Sequence, residues 1–190
     1  MKQPDRVLYI AGIGGLPEVQ DTLAELWEPY GLSVDYEPID WTATDYKQRL
    51  VSIGERIVEL SEHDRVSLVG ASGGGKPVMS LLARHPDYVH RAVTISSKVN
   101  PYDIGSGTRQ AYPNLVLSSD TLPDDLSQIT AEMRKRVLCV HPLSDEIVAP
   151  KDAVFEGASQ HTVQADGHVA GIARALTVDS NVIIDFIRQD

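Results

Sequence analysis

Short runs of β-branched and aliphatic residues punctuate the chain at 6–11 (RVLYIA), 33–39 (SVDYEPI), 65–70 (RVSLVG), 91–96 (RAVTIS), 136–140 (RVLCV) and 161–165 (HTVQA). Between them lie stretches whose apolar residues recur with the helical period, at 16–30, 44–61, 76–85, 123–132, 151–157 and 171–188. Short β-branched and apolar runs such as those at 65–70 and 136–140 suit strands buried on both faces, and the alternation of strand with helix predicts parallel crossovers. The expected architecture is therefore α/β: one domain spanning 1–190, a doubly wound, mostly parallel sheet of about six strands with helices on both faces. The rhythm breaks at 97–122, rich in Gly, Pro, Ser, Asn and Asp, where a loop and at most one short helix are expected.

The third run ends in Gly70-Ala71-Ser72-Gly73-Gly74 and passes into a helix beginning near Lys76 and Pro77. Strand, G-x-S-x-G and helix in that order describe a nucleophile elbow. The serine there takes a strained backbone conformation, and the residues two before and two after it must be tiny because strand and helix nearly collide. Gly70 and Gly74 meet that demand. The turn would lift the Ser72 hydroxyl above the sheet and aim the Gly73 N–H at an oxygen on the carbon under attack. The same residues also spell G-x-x-x-x-G-K from Gly70 to Lys76, a phosphate-cradling loop of nucleotide-binding proteins. That loop needs Ser or Thr after its lysine to hold magnesium, and this chain has Pro77. A glycine-rich turn that binds nothing is the remaining alternative.

A serine nucleophile needs a base and a carboxylate that orients it, here in the chain order Ser, acid, His. The run 136–140 leads to Leu143-Ser144-Asp145-Glu146, which places Asp145 just past a strand. The run 161–165 leads to Asp166-Gly167-His168, which places His168 on the same sheet edge as Ser72 if the strands are parallel. Each has a plainer alternative: Asp145 as a helix cap, His168 as an idle loop residue. Glu146 is the nearest substitute acid, and Asp166 lies beside the histidine. A metal site from His141, Asp145, His161 and His168 lacks any recognised ligand spacing.

Together these segments resemble the α/β-hydrolase family over nearly the whole chain: LYIAGIGGLP, VGASGGG, LLARHPDYVHRAVTIS, SDEIVAP and DGH. The resemblance implies that Ser72, Asp145 and His168 are nucleophile, orienting acid and base of an esterase-like serine hydrolase. It further implies that the backbone N–H groups of Gly73 and Ile13 form the oxyanion hole, with Ala11 standing where relatives often carry histidine. Larger relatives insert a cap in the region corresponding to 97–122. Its shortness here implies an open, shallow site with walls from Ile13, Gly14, Leu16, Lys98, Val99 and Tyr102, for each of which a packing role is the alternative. The implied substrate is a small acyl compound handled without metal or organic cofactor. Ala11-Gly12-Ile13-Gly14-Gly15 also nearly matches a dinucleotide-binding G-x-G-x-x-G, but Pro17 occupies the third glycine position.

Charge and composition narrow the partners. With 17 basic against 27 acidic residues, a net charge of −10 and no basic run interleaved with aromatics, nucleic acid is not an expected partner. No stretch approaches the ~20 apolar residues of a membrane helix. The single Cys139 lies mid-strand and reads as a small buried hydrophobe, so no intrachain disulfide is expected and a cytoplasmic setting is the expectation.

Overall fold

The structure, a computed structural model, describes residues 5–15, 18–100, 104 and 106–189, without the side chains of 18–20. Six strands form a single parallel sheet: β1 (Asp5–Ile10), β2 (Leu32–Tyr36), β3 (Arg65–Ala71), β4 (Ala92–Ile95), β5 (Val137–Ser144) and β6 (Ser159–Asp166). Their order is β2-β1-β3-β4-β5-β6. All five neighbouring pairs are parallel, with Tyr9 opposite Val69, Val69 opposite Val93 and Val93 opposite Leu138.

The inner strands are almost wholly apolar because the sheet is covered on both faces there, with successive side chains going to opposite faces, while the edge strands β2 and β6 stay partly exposed. Leu8, Ile10, Leu68 and Cys139 join one core with residues of α2 (Tyr46–Ser61), α3 (Gly75–Arg84) and α5 (Pro113–Ser127). Val7, Tyr9, Val69, Val93, Leu138 and Val140 join the other with α1 (Glu18–Trp27), α7 (His168–Leu176) and α8 (Ser180–Arg188). The strand order reverses direction between β1 and β3. Such a switch point opens a crevice at the carboxyl edge, where the loops after those two strands diverge.

The segment 97–122 departs from the loop-rich expectation. It carries α4 (Ser106–Ala111) and most of the 15-residue α5, so regular structure starts well before position 123. Its composition hides the helix because tertiary contacts hold it. Pro113 starts α5 where a missing N–H costs nothing, and the fully buried Asn114 side chain donates to Asp40 O and the Asp45 carboxylate while accepting from Tyr46 N. Ser118, Ser119 and Thr121 satisfy their hydroxyls on carbonyls one turn back, and so sit in the helix without unpaired polar groups.

Three further expectations change. The helix expected at 123–132 becomes the end of α5 followed by the single turn α6 (Ala131–Arg134). Residues 151–157 hold only one 3-10 turn, Pro150–Asp152. The closing helix breaks at Thr177 into α7 and α8, where Arg174 reaches Asp179 at 2.6 Å.

The two-faced burial predicts a steep contrast in truncation cost. Leu68→Ala, at a fully buried position on the central β3, lowers the unfolding free energy by about 2–5 kcal/mol. Val51→Ala, 55% exposed on α2, changes it by less than about 0.5 kcal/mol in the same urea titration.

Candidate active site

β3 ends at Ala71, and Ser72–Gly74 form one 3-10 turn leading directly into α3. Ser72 adopts φ 52°, a left-handed conformation costly for a residue with a Cβ. The turn is tight because other backbone lies against it. A Cβ on Gly74 would stand 2.0 Å from the Ile10 carbonyl oxygen, and one on Gly70 2.3 Å from the Gly74 oxygen. From the β1 side, a Cβ on Gly12 would meet Ser72 Cβ at 2.7 Å and Gly73 N at 2.8 Å. This turn is closed upon itself and upon β1 rather than opened around a phosphate, which removes the cradle that the G-x-x-x-x-G-K reading requires. Ala11, in the place where histidine was a familiar alternative, has its carbonyl tied to the Trp41 indole N–H at 3.3 Å.

The base and the acid come from the neighbouring loops. Asp145 follows β5 and His168 opens α7 after β6, and the two loops are stitched together. Gly167 N donates to Ser144 O at 2.9 Å, Ser144 Oγ donates to Asp166 at 2.9 Å, and the His168 N–H donates to Glu146 Oε2 at 2.9 Å. Gly171 lies so near Pro142 that a Cβ would sit 2.8 Å away, which brings α7 down onto the end of β5. The result is a continuous chain: Ser72 Oγ lies 2.9 Å from His168 Nε2, and His168 Nδ1 lies 2.8 Å from Asp145 Oδ2.

Asp145 does two jobs at once. Its second oxygen accepts from the N–H groups of Ile147 at 2.8 Å and Val148 at 2.7 Å, so it caps a turn as well as facing the imidazole. Burial pushes its carboxyl up, but the hydrogen bonds from Val148, His168 and Ile147 outweigh that and hold it below its ordinary value. An ionised carboxylate can only accept, so Nδ1 carries the imidazole proton. Nε2 is then left with its lone pair toward the Ser72 hydroxyl. His168 is 5% exposed, which limits competing water around the ring.

Two cavities flank Ser72. The larger, 420 Å³, is bounded by Tyr9, Ile13, Leu23, Val169, Ile172 and Leu176, with Gly14 and His168 also in its wall. The smaller, 300 Å³, is bounded by Gly73, Lys76, Lys98, Thr108, Leu115 and Ile147. Ile13 lines both. The site is thus less open than the sequence implied, because α4 and α5 supply part of a wall. Val99 is fully buried in the core and lines neither cavity, so its role is packing. Leu16 and Tyr102 lie outside the described residues.

Several wall residues escaped the sequence reading. Val169, Ile172 and Leu176 recur on one face of α7 at spacings of three and four, a spacing hidden when the helix is expected to begin at 171. Thr108 and Leu115 lie in α4 and α5, within the segment where a loop and at most one short helix were expected, so neither carried a signal.

No family model matches the sequence, and a search of curated proteins finds no match. Solved structures do match in shape over nearly the full chain. Est1E from Butyrivibrio proteoclasticus is 17% identical with a TM-score of 0.69, covering 98% of this chain and 88% of that one. A monoacylglycerol lipase from Paleococcus ferrophilus is 15% identical with a TM-score of 0.65, covering 98% and 95%. The esterase domain of a Rhodothermus marinus protein is 18% identical with a TM-score of 0.65, covering 98% and 88%. With the all-parallel sheet and the crossing at Ser72, these matches define the fold as that of the α/β-hydrolases. Fold alone does not choose a reaction.

Two outcomes follow from the local geometry. Ser72→Gly relieves the left-handed strain and raises the unfolding midpoint, by roughly 1 kcal/mol of stability, whereas Ser72→Ala does not. For Asp145 the folded carboxyl lies below its ordinary 3.8, so the unfolded chain binds more protons in that range and stability rises with pH. Its contribution is complete above about pH 5 and is lost as pH falls through the folded value. The stability gap between wild type and Asp145→Asn therefore narrows as unfolding is measured at successively lower pH.

Proposed function

We propose that this protein is a serine hydrolase that cleaves carboxylic esters through an acyl-enzyme. The observation that carries this reading is the unbroken chain of contacts from the Ser72 hydroxyl through the His168 ring to Asp145, at 2.9 and 2.8 Å. It is supported by the structural neighbours, a monoacylglycerol lipase and an esterase domain among them.

In the proposed reaction the Ser72 oxygen forms a bond to the substrate carbonyl carbon as its proton passes to His168 Nε2. The resulting oxyanion accepts hydrogen bonds from the Gly73 and Ile13 backbone N–H groups, the first of which lies beside the N-terminus of α3. Collapse of the tetrahedral species breaks the ester C–O bond, and the leaving alkoxide takes the proton from His168. Water then attacks the acylated Ser72, gives a proton to His168, and releases the acid with the serine restored. Asp145 stays ionised throughout and stabilises the imidazolium. Nothing in this cycle requires a metal or an organic cofactor.

With the phosphate cradle closed, the two readings left are this hydrolase and a hydrolase-fold domain without turnover. Hydrolysis of 4-nitrophenyl butyrate separates them. The wild type turns the ester over, Ser72→Ala loses the activity, and Asp145→Asn lowers kcat by roughly 10⁴-fold. Equal rates for wild type and Ser72→Ala would remove Ser72 from the chemistry, and no turnover by the wild type would favour a silent domain.

A further inference from the structure

The cavity that holds both Ser72 and His168 in its wall follows α7 lengthwise. The helix contributes His168 and Val169, then Ile172 and Ala173, then Leu176 and Thr177, pairs four residues apart that stack along one face. α1 adds Thr22 and Leu23, and β1 adds Tyr9. The two helices are tied together at the end away from His168, where the fully buried Trp27 of α1 donates its indole N–H to the Leu176 carbonyl at 3.2 Å. At 1.5 Å per residue, the wall from His168 to Thr177 follows about 13 Å of helix axis, the extended length of roughly ten carbon atoms. The reacting hydroxyl and imidazole thus stand at one end of a long groove.

The wall of this groove is apolar in detail as well as in composition. Tyr9, Leu23 and Leu176 are buried beneath it, whereas Val169 is 74% exposed and Ile13 38%, so aliphatic side chains stand uncovered beside Ser72. Covering such surface with hydrocarbon removes it from water, which is favourable. Thr177 already donates its hydroxyl to the Ala173 carbonyl at 2.7 Å, one turn back. Among the described residues no Asp, Glu, Lys or Arg lines this cavity, whereas Lys76 and Lys98 line the smaller one. An alkyl chain in the smaller cavity would take water from ammonium groups, and in the larger one it takes water from carbon.

We infer that the larger cavity is a chain-binding groove for an alkyl group of about eight to ten carbons attached to the reacting ester, so that medium-chain esters are the preferred substrates. Val169, Ile172 and Leu176 cover the chain from α7, Leu23 covers it from α1, and the small Ala173 on the middle turn leaves the passage open. The inference deepens the proposed function and rests on it.

Two ester series test it, each kept below its critical micelle concentration: 4-nitrophenyl esters from acetate to laurate, and n-alkyl acetates from ethyl to dodecyl followed by titration of the released acid. The first grows the chain on the acyl side of the ester and the second on the alcohol side. In at least one series the wild-type kcat/KM is expected to rise about two- to four-fold per added methylene and to level off near ten carbons. The series that rises identifies the side of the ester that the groove receives. Long side chains on a helix lean toward its N-terminus, so Ala173→Phe lays a ring over the Val169 turn and is expected to lower the ten-carbon to four-carbon ratio by about ten-fold or more. Thr22→Phe, from the α1 wall, is expected to act in the same direction, and the wild-type series stands without either variant. Rates that stay flat or fall with chain length in both series, or a ratio indifferent to both phenylalanine variants, overturn the inference. A fluorophosphonate probe separates the two levels. Labelling of Ser72 with turnover of short esters but no chain-length preference defeats the groove assignment alone, whereas absence of labelling and of turnover for every ester defeats the hydrolase reading and this inference with it.

Discussion

At the carboxyl edge of the sheet the Ile10 carbonyl oxygen approaches Gly74 so closely that a single methyl on that glycine would sit 2.0 Å from it. This backbone approach forces the chain to turn from β3 into α3 within three residues. The turn forces Ser72 into the left-handed region, and that conformation fixes where its hydroxyl points. Strand order contributes as much as the turn. Because β1 and β3 are neighbours whose crossovers leave in opposite directions, the Gly12 loop and the serine turn meet at the crevice instead of being covered by a helix. The packed two-faced sheet beneath them supplies the rigidity that holds the strain.

The imidazole is positioned by a different device, a pair of loops bound to each other before they reach the serine. Ser144, Glu146, Asp166 and Gly167 hold the ends of β5 and β6 together through main-chain and side-chain hydrogen bonds. Asp145 is fixed from behind by two N–H donors, so the carboxylate faces the ring already oriented. Ser72 then sits between two unlike environments, one apolar and framed by α1 and α7, the other carrying two cationic side chains and framed by α3, α4 and α5.

Much of this was readable from residue pattern. The six apolar runs lie on the six strands, with bounds shifted by a few residues, and Ser72, Asp145 and His168, chosen for chain order and strand-end position, lie in one hydrogen-bonded chain. What escaped depends on contacts between distant residues. α5 is rich in Ser, Thr, Asp and Pro and is held by the buried Asn114 bridge and by packing on α3, neither of which leaves a periodic trace. Trp41 supports the Ala11 carbonyl from 30 positions away. Lys76 starts the expected helix and also completes the disfavoured G-x-x-x-x-G-K alternative, but its deep burial in α3 is visible only once the helix is packed. Val99, expected as a candidate wall residue because the cap region is short, is instead buried in the core.

The central claim is that Ser72 becomes covalently acylated during turnover. Mixing the protein with a 4-nitrophenyl ester, quenching with acid in the steady state and mapping peptides by mass spectrometry tests it directly. The account predicts the acyl mass increment on the peptide containing Ser72, gone in Ser72→Ala. Steady-state turnover with no increment on that peptide, or with the acyl group on another residue, would contradict it.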